Sequence, residues 1–275
     1  MPPRSCASIS VAQNLIHPPR RTPMTVPDDH LLAWALLSRA ALTAPDTVRA
    51  LLAAHGPVDA AERIAMDEMR SQFGPQARVT AQHDLERAER VGGRLLTRDD
   101  PGWPAALNDL DTIEAHTPIA LWTRGPGQLN PLADRTEIAV VGARASTTYG
   151  EKVTRYVGMD LAAQGWTILS GGAFGIDATA HAAALEAGRP TVAVLPCGLH
   201  RLFPQGNAGL LADIEKTGLL VSEYPPGVEP NRNLFLIRTS RSPCRAGGIR
   251  RCCRRGGRRT DPGPRRMCLG PSRSR

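Results

Sequence analysis

From Glu137 to Tyr224 the chain alternates short apolar runs with longer stretches of helical period, and this alternation restricts the fold more than any other feature. Ile138–Arg144 (IAVVGAR) reads as a buried strand that ends at a glycine, Thr147–Gly165 as an amphipathic helix and Thr167–Gly172 (TILSGG) as a second strand. The pattern then repeats, with a helix over Gly175–Gly188, a strand over Thr191–Cys197, a helix over Asn207–Gly218 and a strand over Leu219–Tyr224. Strands alternating with helices of this length predict right-handed crossover units. The expected class is therefore α/β, a Rossmann-like parallel sheet with helices on both faces and ligands at the carboxyl ends of the strands.

The preceding stretch, residues 28–90, has helical periodicity: Leu31, Leu32, Trp34, Ala35 and Leu37 recur on one face, and His55-Gly56-Pro57 interrupts the second helical run. It reads as a small helical accessory domain, SAM-like or helix-hairpin-helix-like, to which no chemistry is assigned. Residues 91–137 read as a connector whose Trp103 and Trp122 are core aromatics, and residues 138–238 as the Rossmann-like domain. Residues 1–27 are rich in proline and arginine and hold only a short apolar stretch, Ala7–Val11; they are expected to be a disordered extension, with the natural start at Met24. No run of about 18 apolar residues is present to span a bilayer, so the expectation is a soluble, cytoplasmic protein without a membrane partner.

The formal charge of +8 points towards nucleic acid only until it is located. Residues 239–275 carry twelve arginines against one acid, Asp261, which leaves the first 238 residues at about −3. Four of the six cysteines, Cys244, Cys252, Cys253 and Cys268, lie in the same tail, so the cysteines do not form a disulfide framework. Any argument for nucleic acid must come from a site.

That site is read at the ends of the first two strands. Gly142-Ala143-Arg144 closes the first; glycine lets backbone approach a phosphate, and Arg144 offers a planar, permanently charged fork. Ser170-Gly171-Gly172-Ala173-Phe174-Gly175 closes the second and runs into a helix N-terminus, a natural anion cradle. One glycine-rich loop is weak evidence, because any tight strand-to-helix turn favours glycine; two at adjacent strand ends with an arginine are stronger. A dinucleotide site is disfavoured, since VGARAST stands where G-x-G-x-x-G is needed and no acid closes the second strand. Asp177 is read as capping the helix and ordering the loop, and His181 as structural or as an orienting group. Cys197 and His200 lack a third member for nucleophilic chemistry. No catalytic residue, metal ligand or cofactor is assigned.

In this order IAVVGAR, TTYG, LSGGAFGIDATAHAAALEAGRPTVAVLPCGLHRLFPQGN, LLVSEYPPG and NLFLIR resemble the DNA-processing protein A (DprA/Smf) family over residues 98–238. The resemblance implies a non-enzymatic, dimerising mediator that binds single-stranded DNA through its phosphates and loads the RecA recombinase in natural transformation. It implies that Gly142, Arg144, Ser170, Gly171, Gly172, Ala173, Gly175 and Arg232 contact phosphate, that Phe235 stacks on a base and that Arg238 is a further phosphate contact. Two alternatives remain. One is a phosphoribohydrolase-like enzyme of similar layout, whose P-G-G-x-G-T-x-x-E loop is missing here; the other is a small-nucleotide sensor.

After NLFLIR the likeness stops. Residues 239–275 are enriched in arginine, glycine, proline, serine and cysteine, the composition a GC-rich gene yields when read out of frame; a basic arm that folds on nucleic acid is the alternative. The sheet is then expected to be incomplete at its C-terminal side, and the product unstable or inactive as written.

Overall fold

The computed structural model describes residues 28–66, 76–105, 107, 108, 110, 117–127, 129, 137–231 and 234. Three helices open the described chain: α1 (Asp29–Ala40), α2 (Pro45–Met66) and α3 (Ala77–Arg90). The Asp28 side chain caps α1 by accepting the His30 N–H at 3.3 Å. α2 is broken at Gly56, immediately before Pro57, where the sequence places the interruption.

Two short strands follow, β1 (Gly93–Leu96) and β2 (Leu121–Arg124), then β3 (Glu137–Ala139), α4 (Thr148–Ala163), β4 (Thr167–Ser170), α5 (Ile176–Glu186), β5 (Thr191–Val194), α6 (Ala208–Thr217) and β6 (Leu219–Ser222). All six strands form one sheet in the order β1-β2-β6-β5-β4-β3. β3, β4, β5 and β6 are parallel, whereas β2 pairs antiparallel with β6 and β1 antiparallel with β2. The segment read as a connector thus widens the sheet by two strands. Trp122, expected in a core, is 1% exposed and donates its indole N–H to Ser38 of α1 at 3.1 Å.

Among the described residues, the α-helices do not take both faces of the sheet. Trp122, Leu220 and Ala193 point into one apolar cluster with α1, α2, α3 and α6, and their neighbour Ile168 packs with α4 and α5 on the same side. The alternate strand residues, Leu121, Leu219, Val221, Val192 and Leu169, face Trp103, Leu107, Leu110 and Leu129. Among the described residues, all six helices therefore cover one face. The reason is topological: β3 to β6 are added in one direction, and right-handed crossovers taken in one direction put every helix on the same side.

The helical region is continuous with this layer. Arg39 of α1 grips Asp84 of α3 with two hydrogen bonds, 2.8 and 2.5 Å, and donates a third at 3.0 Å to the Pro226 carbonyl beyond β6. Trp34 donates to Asp99 at 3.0 Å. No helix among the described residues is long and apolar enough to cross a membrane.

Candidate nucleic-acid interface

β3 and β4 lie side by side, so the turns leaving their carboxyl ends meet. The ladder continues past β3 through Val140, whose N–H donates to the Leu169 carbonyl at 3.0 Å. The turns then lock together. Ser170 donates its hydroxyl to the Val140 carbonyl at 2.6 Å, and Ile176 donates its N–H to the Ala143 carbonyl at 3.2 Å. A Cβ on Gly142 would stand 2.6 Å from the Ile176 side chain, and one on Gly175 would stand 2.3 Å from the Ala143 carbonyl oxygen and 2.6 Å from that of Arg144. Gly175, at φ 76°, is also in the left-handed region, so both space and conformation demand glycine there.

Of the expected contact residues, Gly142 and Arg144 are exposed on this rim, Gly175 is half-buried, and Ser170, Gly171, Gly172 and Ala173 are buried beneath it. The inner loop is covered by Leu195 and Leu211, which pack against Gly172, and by Asn207, whose side-chain amide donates to the Gly172 carbonyl at 3.0 Å. Three amides at the start of α5 are already taken: Ile176 by Ala143, Ala178 by Ala173 and Thr179 by Gly175. The glycine-rich loop is therefore a strut that fixes the outer turn, and the surface it offers to solvent is the turn at Gly142–Arg144. α4 begins just beyond, capped by Thr147, which accepts the Gly150 N–H at 3.1 Å. Ser146 ties Glu151 of the first turn at 2.6 Å. Arg232, Phe235 and Arg238, like residues 1–27 and the arginine-rich tail, lie outside the described residues.

One aromatic on the rim escapes the sequence reading. Phe174 is 48% exposed, with its ring against Gly206. The signal was present: a large aromatic inside a glycine-rich turn, in a chain with four phenylalanines.

The remaining candidates have structural placements. His181 is fully buried and its Nδ1 lies 2.8 Å from the Thr191 hydroxyl, which itself donates to the Ile168 carbonyl at 2.6 Å. Thr191 therefore accepts, and the ring proton is on Nδ1. Asp177 is buried in the first turn of α5, whose N-cap is Gly175. Cys197 is buried, and His200 accepts the Gly227 N–H at Nδ1. Among the described residues no group of three or more His, Cys, Asp or Glu could hold a metal ion.

Residues 94–240 match the sequence model of the DNA recombination-mediator protein A family. A relative from Mycobacterium tuberculosis bearing the DprA name is 42% identical over 218 residues, 75% of this chain and 56% of that protein. The DNA processing protein DprA of Bacillus subtilis is 34% identical over 144 residues, 52% of this chain and 46% of its own length. The chain thus spans about half the length of these relatives. The crystal structure of DprA from Streptococcus pneumoniae superposes with a TM-score of 0.55 at 24% identity, over 79% of this chain and 75% of that one, a likeness of fold.

Proposed function

The chain belongs to the DNA recombination-mediator protein A (DprA) family, and on that premise we propose that it binds single-stranded DNA by its phosphates at the rim around Arg144. The observation that carries this reading is the locking of the two turns. Their contacts fix the backbone that carries Arg144 on the exposed side of the rim, so a phosphate meets a turn with little freedom, the Gly142–Ala143 backbone beside the arginine. Phosphate contacts carry no sequence information, which suits a mediator that accepts any strand. The family resemblance supports the finer reading: a non-enzymatic homodimer that passes the strand to RecA, with Arg232 and Arg238 as further phosphate contacts and Phe235 stacking on a base.

An oligonucleotide titration tests it. Arg144→Ala should weaken binding about 10- to 100-fold, the value of a charge-assisted hydrogen bond, and do so equally for all sequences. The slope of log affinity against log salt should flatten by about 0.7 for the lost phosphate contact. A mononucleotide that binds as tightly as the oligonucleotide, with little salt dependence, would replace this reading with a nucleotide sensor.

A further inference from the structure

The loop after β5 carries a cation that the strand reading above does not use. Arg201 stands with its guanidinium 6.0 Å from the centre of the Phe203 ring, half exposed. Its Nη1 lies 3.0 Å from a carboxylate oxygen of Glu229, on the loop after β6. The other oxygen of Glu229 lies 3.6 Å from Nε2 of His200. Because His200 accepts the Gly227 N–H at Nδ1, 3.0 Å, its ring proton faces Glu229. Glu229 is itself 60% exposed in its side chain, so a well-hydrated carboxylate sits on an arginine and an imidazole that together suit one anionic oxygen cluster.

This group is continuous with the rim. The turns after β3, β4 and β5 come from adjacent parallel strands and lie at the same end of the sheet. Gly175 packs on the Arg144 carbonyl, Phe174 packs on Gly206, and Gly206 follows Phe203 by three residues. Two strand spacings of about 4.8 Å separate the β3 and β5 ends, a reach of one to two nucleotides. Phe174 thus joins the turn that carries Arg144 to the loop that carries Arg201, and arginines with an aromatic face along one edge are how single strands are bound without regard to sequence.

We propose that Arg201 is a second phosphate contact on this rim and that Glu229 occupies it in the free protein, to be displaced by the incoming strand. The proposal rests on the single-strand reading of Arg144 and names the next phosphate site along the same track. The glutamate acts as an internal stand-in for a phosphate and raises the threshold for binding. A single phosphate competes poorly with a tethered carboxylate, whereas a strand already held at Arg144 competes at high effective concentration.

The test uses the full chain and a short oligothymidylate followed by fluorescence anisotropy. Glu229→Gln removes the competing charge and should tighten binding about 3- to 10-fold. Arg201→Ala should weaken it about tenfold and flatten the salt slope by about 0.7. In the R201A background, E229Q should change affinity less than twofold. Equal affinity of E229Q and the unaltered protein would overturn the proposal, as would a gain that persists undiminished in R201A, since that would be a general charge effect. Glu229→Ala is read in the same way should E229Q lose the cooperative melting transition. Arg144→Ala separates the two levels: if it leaves binding intact, the single-strand reading itself falls; if it weakens binding and R201A does not, only the second contact falls.

Discussion

At the scale of single residues, Arg144 depends on a glycine 31 positions away. Gly175 passes under the Ala143 and Arg144 carbonyls at a separation that admits no side chain. Gly175→Ala should therefore cost well over the 1–3 kcal/mol of left-handed strain alone and displace the Arg144 turn. Gly188→Ala is the control: φ is 67° there, but nothing lies within 4 Å of the added Cβ, so only the conformational cost of about 1–2 kcal/mol applies. Thermal denaturation of both variants checks this, and equal losses would mean that the outer turn yields. The glycines and Arg144 were legible in the sequence because residue types report what a backbone needs. Direction was not legible. Ser170 looks like a phosphate donor in the sequence, but its hydroxyl turns inward to Val140; Phe174 is given no role of its own there and stands half in solvent. β4, Thr-Ile-Leu-Ser, is buried on both faces from Ile168 onward, as parallel strands are, so no alternation in it says which way a residue points.

At the scale of elements, the sequence separates what the fold joins. The helix, strand and helix order of β3 to β6 was readable because each crossover is a local pattern of adequate length. β1 and β2 were not, because they are four residues long and take meaning only from pairing: Trp122 meets Ser222, a hundred residues on. The same holds for α1, which reads as part of an accessory unit and packs as a keystone. Its Ser38 accepts from Trp122 of β2, and its Arg39 reaches both Asp84 of α3 and the turn beyond β6. The Asp84 side chain is fully buried, and that burial holds its carboxyl above the usual range despite the opposing pull of Arg39. Asp84→Ala should destabilise the protein by about 3–5 kcal/mol, because it leaves Arg39 largely buried without its counter-charge. The paired change Arg39→Met with Asp84→Leu should recover most of that loss. Denaturant midpoints of the unaltered protein and the two variants decide it; a double variant as weak as the single would show that the contact to Pro226, and not charge burial, is the larger part.

At the scale of the whole molecule, the charge of +8 comes from the tail, and the chain before it works against the proposed ligand except at the rim. Residues up to 238 carry a formal charge of about −3, so that part offers DNA no broad positive field, and affinity at the rim must come from a few placed arginines. Acids set the pH response as well. Glu137 opens β3, at the other end of the strand from the Arg144 turn, and burial raises its carboxyl above the ordinary 4.5. A carboxyl whose folded value is raised binds its proton more tightly in the native state. Its contribution to stability is therefore full below the unfolded value and is lost as pH climbs through the raised one. Glu137→Gln keeps the shape and removes the titration. The two proteins should melt together below about pH 4 and diverge as pH rises to neutrality, with the glutamine form the more stable. Melting temperatures taken across that interval check the sign: a constant difference would mean that the Glu137 carboxylate is solvated in the folded state, and that β3 holds the rim without carrying a desolvated charge.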